Sequence, residues 1–73
     1  MSIAVADSCV QQIGELAGTV WRVLDEEGPM SLAKLAKSLD APRDLTMQAV
    51  GWLAREDKVK VEESSRGRIV SLR

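Results

Sequence analysis

The chain has 73 residues, no His, one Cys and a formal net charge of −1. That length fits a single domain with a small core, and a lone Cys without His excludes an internal disulfide and any His/Cys zinc site. A charge balance this close to neutral also departs from the basic balance usual in free-standing nucleic-acid binders.

The charge is unevenly spread. Residues 1–27 carry one base, Arg22, against five acids, whereas residues 55–73 carry six bases against four acids. A polyanion would therefore have to meet the second half. Cys9 reads as a small apolar residue near a helix start, and an unpaired Cys fits a reducing compartment. Met1–Ala6 is short and lacks a basic start, so it does not read as a signal peptide. No apolar run approaches the ~20 residues that a membrane helix needs. The expectation is a cytoplasmic protein with no membrane partner, cofactor, metal or small-molecule ligand.

Residues 1–7 read as a flexible N-terminus, and residues 8–73 as one domain. A first helix spans residues 8–27, with Ser8 as N-cap, Gln11 completing a capping box and Gly28-Pro29 as the stop. Ile13, Ala17, Val20 and Leu24 recur at helical spacing and form its core stripe. Val10 and Trp21 widen the stripe on one side, Leu16 and Val23 on the other. The apolar face is then wider than one core contact requires, and a second subunit is one way to cover the excess. Gly14 and Gly18 lie beside Trp21. Each costs the helix roughly 1 kcal/mol relative to Ala, so they either make room for Trp52 within the chain or admit another backbone or ring.

Ser31 caps a second helix of about two turns, with Met30 positioned to staple onto Leu35. Leu32, Leu35, Ala36 and Leu39 face inward, and Lys34 and Lys37 face outward. Asp40-Ala41-Pro42 breaks the helix, and Pro42 suits the start of the next. On the third helix Leu45, Thr46, Ala49 and Leu53 face inward. Asp44, Met47, Gln48, Gly51 and Arg55 face out, with Val50 and Trp52 on the borders. A helix-turn-helix results. Val59 and Val61 alternate with Lys58, Lys60 and Glu62 as a half-buried strand. Ser64-Ser65-Arg66-Gly67 turns the chain, and Ile69, Val70 and Leu72 return. Residues around Gly28–Met30 can add a third strand. The fold expected is mainly α with a small β-hairpin: a winged helix-turn-helix of three helices and a C-terminal wing.

The words AGTVWRVL in the first helix and QAVGWLAREDKV at the third-helix corner resemble a small prokaryotic winged helix-turn-helix family. The resemblance covers nearly the whole chain. It implies a winged helix associated with DNA binding or transcriptional regulation and able to pair as a homodimer. It implies no ligand and no DNA site.

Catalysis is not expected, because the chain has no His, no Gly-rich phosphate loop and no metal constellation. For double-stranded DNA the candidate readers are Arg43, Thr46, Met47, Gln48 and Arg55 on the third helix; Gln can pair with adenine and Arg with guanine. Lys34, Lys37, Lys58, Arg66 and Arg68 are candidate phosphate contacts, the last two on the wing. Interleaved acids allow the plainer reading of these bases as solubilising groups. For a protein partner or a second copy the candidates are Gly14, Gly18, Trp21, Gly51 and Trp52. Trp21 and Trp52 are the only aromatic residues. Each is either a core side chain or an interface anchor.

Overall fold

The computed structural model describes residues 2–65 and 67–73, with side chains from Ser8 onward. Helix α1 runs Ser2–Glu27, strand β1 Met30–Ser31, helix α2 Leu32–Leu39, helix α3 Arg43–Arg55, strand β2 Val59–Ser64 and strand β3 Gly67–Leu72. The strands form one antiparallel sheet in the order β1-β3-β2. This is the three-helix bundle and wing expected. The third strand is present too, placed at Met30–Ser31, so Met30 belongs to β1 and does not open a helix.

The core is continuous across helices and sheet. Ala17, Val20 and Leu24 of α1 meet Leu35 of α2, Ala49, Val50 and Leu53 of α3, and Met30, Val59 and Val70 of the sheet. Leu35, Val20 and Val70 are fully buried. Each comes from a different element, α2, α1 and β3, so losing any one of them opens the junction between layers.

The first helix starts earlier than expected. It begins at Ser2, so Ser8 lies inside it and caps nothing; Gln11 Nε2 instead donates to Glu15 Oε2 at 3.4 Å. The spacing of Ile3, Ala6, Val10 and Ile13 continues the helical period through the segment, which a good capping residue cannot interrupt by itself. The side chains of residues 1–7, and the flexibility expected there, lie outside the described residues. Side chains 8–12 are all exposed, and cover begins at Ile13. A helix of 26 residues is about 39 Å long. The molecule measures 45 × 22 × 21 Å, so α1 outruns the body it packs on.

The other joints follow from capping chemistry. At the end of α1, Gly28 takes φ +84° and its N–H reaches Leu24 O at 2.9 Å, a left-handed cap that satisfies one of the helix's last carbonyls. Ser31 is the N-cap of α2, its Oγ accepting from Lys34 N–H at 3.1 Å. Asp40 ends α2 at φ 52°, in the left-handed region where Asp is tolerated. At the end of α3, Asp57 at φ 64° stands where Gly is usual. Its N–H bonds Ala54 O at 3.0 Å and Lys58 N–H bonds Leu53 O at 2.9 Å, a Schellman pair that launches β2. An Arg73–Asp57 ion pair of 3.1 Å closes that corner.

One strand departs from its expected pattern. Of β2 only Val59 is buried, and Val61 is 38% exposed. The apolar alternation is present in the residues, but beyond Val59 cover thins: Val61, opposite the buried Val70, is only partly covered.

Candidate nucleic-acid interface

The sheet determines what can meet at the start of α3. Ser31 pairs with Ile69 across β1 and β3. That pairing ties the capped start of α2 to the wing. The result is a groove of about 320 Å³ lined by Ser31, Leu32 and Ala33, by Arg43 and Met47 from the first turns of α3, and by Gly67 and Arg68 of the wing. Arg43 and Arg68 are exposed and Met47 is half-buried. Two guanidinium groups and a helix N-terminus thus border one concavity, with positive charge and backbone dipole on the same side.

The expected DNA contacts divide around α3. Arg43, Met47 and Arg68 share the groove just described. Gln48 and Arg55 are exposed but border a second cavity, about 470 Å³, with Ile13, Gly51, Trp52 and Glu56. Lys34 and Lys37 are exposed on α2. Lys58 borders a third cavity, which also includes Trp52, and pairs with Glu56 at 3.6 Å. Arg66 lies outside the described residues. Thr46 must be removed as a base reader: it is fully buried, and its Oγ1 donates to Pro42 O at 3.1 Å. Its place on the helix turns it into the core, and the hydroxyl is satisfied one turn back.

The cavity bordered by Lys58 is about 440 Å³ and is lined by Gly14, Ala17, Gly18 and Trp21 of α1 and Trp52, Leu53 and Glu56 of the α3 end. Trp21 is 41% and Trp52 38% exposed. Neither is a core tryptophan, because α1 runs along the rim of the body and α3 ends beside it. The glycines are not forced by packing within the chain. A Cβ on Gly14 would lie 3.8 Å from Trp52 Cζ2, an ordinary contact, and one on Gly18 or Gly51 would meet nothing within 4 Å. Trp52 borders both cavities, so the candidate partner residues Gly14, Gly18, Trp21, Gly51 and Trp52 form one continuous face.

Sequence reasoning missed Ser31, Leu32 and Ala33 as neighbours of Arg68 on the wing. The signal was available in the third strand, which brings the start of α2 to β3. It also missed Ile13 and Glu56 beside Trp52; no local pattern indicates where one helix crosses another.

Residues 9–72 match the winged helix-turn-helix domain family DUF2582. The chain belongs to that family. The uncharacterized protein MJ1608 of Methanocaldococcus jannaschii is 35% identical over 65 residues, covering 85% of this chain and 91% of that one. The solution NMR structure of protein BT2368 from Bacteroides thetaiotaomicron matches with a TM-score of 0.77 at 35% identity, covering 85% of this chain and 76% of that chain. As in the family, the winged helix is a fold suited to DNA-binding regulation. Among the described residues, no His, Cys, Asp or Glu side chains converge as metal ligands would, and no helix is long and apolar enough to cross a membrane.

Proposed function

We propose that this domain is a non-enzymatic, cytoplasmic regulatory module that binds double-stranded DNA through the groove between α3 and the wing. The observation that supports this most is the meeting of Arg43 and Arg68, distant in sequence, beside Met47 on a winged-helix scaffold. Arg43 and Met47 enter the major groove, Arg68 holds the backbone, and Lys34 and Lys37 add outlying charge. Pairing of two copies along the Trp21 side of α1 belongs to this reading, since it doubles the few phosphate contacts one copy offers.

Duplex binding followed by fluorescence anisotropy at low and moderate salt tests it. Affinity falls steeply as salt rises, and Arg43→Ala and Arg68→Ala each weaken binding at low salt. Undetectable binding at low salt sinks the proposal, because phosphate contacts are strongest there.

A specific observation favours a second reading. Both tryptophans are substantially exposed on one face, and exposed Trp is costly unless a partner covers it. In that reading the scaffold binds protein through Trp21 and Trp52, and the basic groove is ordinary solvated surface. Undetectable duplex binding at low salt, together with concentration-dependent sedimentation that Trp52→Ala abolishes, would favour it.

A further inference from the structure

The sheet ends on a strand with one neighbour. β2 pairs with β3, and among the described residues nothing pairs with its other side. The direction of its backbone groups follows from the hairpin. Ser64 and Gly67 are partners across a two-residue loop. In such hairpins the flanking pair exchanges both backbone bonds, and bonded pairs recur at every second residue. The bond from Arg73 N–H to Lys58 O, 3.1 Å, falls on the same even-numbered set. Lys60 and Glu62 therefore spend their backbone groups on β3. Those of Val59, Val61 and Glu63 point away from the sheet.

Open edges of this kind template pairing with another strand, and proteins commonly blunt them with charge. Here the charges sit symmetrically about an exposed Val61: Lys60 before it and Glu62 after it. They share one face of the strand, with Lys60 Nζ 3.9 Å from Glu62 Oε1 and both side chains largely exposed.

We propose that β2 is a self-association edge, paired antiparallel with β2 of a second copy about a two-fold axis at Val61. In this register Val61 faces Val61 of the other copy as a doubly bonded pair, using the groups that point outward. Lys60 faces Glu62 of the other copy, and Glu62 faces its Lys60. These fall on the non-bonded pairs, where facing side chains approach most closely. Sliding by two residues keeps the backbone bonds but sets Lys60 against Lys60, or Glu62 against Glu62. Sliding by one turns every side chain to the wrong face. The charge pattern that repels a random strand thus selects one partner, the same strand, in one register. The result is a continuous six-stranded sheet, with the Arg43–Arg68 groove left open because Arg68 lies on the central strand of each half. This association is separate from any that uses Trp21 and Trp52, and it does not depend on DNA binding. A contact along one strand edge is small for a specific complex, and the association is weak enough to be sought from micromolar to millimolar concentration.

Sedimentation equilibrium of the full chain across that range decides it. Lys60→Glu and Glu62→Lys each weaken self-association at least about tenfold, since two facing pairs turn from attraction to repulsion, and the double swap restores it. Val61→Pro removes the outward amide without touching a hairpin bond and abolishes association. Restoration by the swap cannot arise from damage to the fold, because the swap carries both changes. The proposal is overturned by a wild-type monomer at millimolar concentration. It is equally overturned if the swap is as weak as the single reversals, or if association responds to Trp21→Ala and Trp52→Ala but not to the charge reversals. The last result would point to the helical face instead.

Discussion

Thr46 is polar, lies on the helix placed to read DNA, and is fully buried with its hydroxyl on Pro42 O. Pro42 O also accepts from Thr46 N–H at 3.0 Å, so deleting the hydroxyl leaves no orphaned carbonyl. Thr46→Val should therefore cost no more than about 1 kcal/mol and leave duplex affinity unchanged; a chemical denaturation curve beside a binding isotherm checks both. Asp40 presents the opposite case, an exposed residue under backbone strain at φ 52°. Its cap bond, N–H to Lys37 O at 3.3 Å, does not use the side chain. Asp40→Gly should raise stability by about 0.5 kcal/mol and the melting temperature by a few degrees, part of the relief being offset by the freer unfolded chain. At this scale the sequence was a fair guide wherever a local rule acts alone. Ser31 as cap and Asp40 as turn residue follow from side-chain chemistry. Thr46 was ambiguous, because its type suggested a reader while its helical position dictated burial, and position won.

Among the elements, α1 carries the clearest mismatch between what the chain covers and what it leaves open. Gly18 sits mid-helix where a Cβ would meet nothing within 4 Å. In a lone chain Gly18→Ala should stabilise by about 1 kcal/mol through helix propensity. Thermal unfolding at low protein concentration measures that gain, and a loss would show that something packs against the backbone there. The early start of α1 was hidden by Ser8, a strong local stop signal set inside a longer apolar period. The exposure of Trp21 was hidden for a different reason. A helical wheel places a residue at the border of a stripe, but not how far the neighbouring body extends to cover it. Val61 fails the same way, since alternation reports the face of a strand and not the reach of the helices beneath it.

For the whole molecule the margin is narrow. A 73-residue domain is expected to hold roughly 4–11 kcal/mol, with small domains near the lower end. Leu35 is fully buried where α2 meets the rest of the core. Leu35→Ala costs roughly 2–5 kcal/mol, most of that margin. The variant should lose its cooperative thermal transition or melt far below the parent, as circular dichroism would record. The overall architecture was legible because three apolar periods, two breaks and a hairpin leave few ways to bury so short a chain. The grouping of Arg43 with Arg68, and the parting of Gln48 and Arg55 from them, was not. It depends on the two-residue strand β1 and on the angle at which α3 passes α1, neither of which has a local signature.

The placement of the two tryptophans has an optical consequence. With no Tyr or Phe in the chain, Trp21 and Trp52 supply all of its intrinsic fluorescence. Both border the same face and both are open to solvent. Each ring is more than half covered in the folded chain, so their emission should shift to longer wavelength when the isolated chain unfolds. It should shift to shorter wavelength, and become shielded from iodide quenching, when a partner settles on that face. The protein thus carries a built-in optical probe in which unfolding and occupancy of its helical side move the emission in opposite directions.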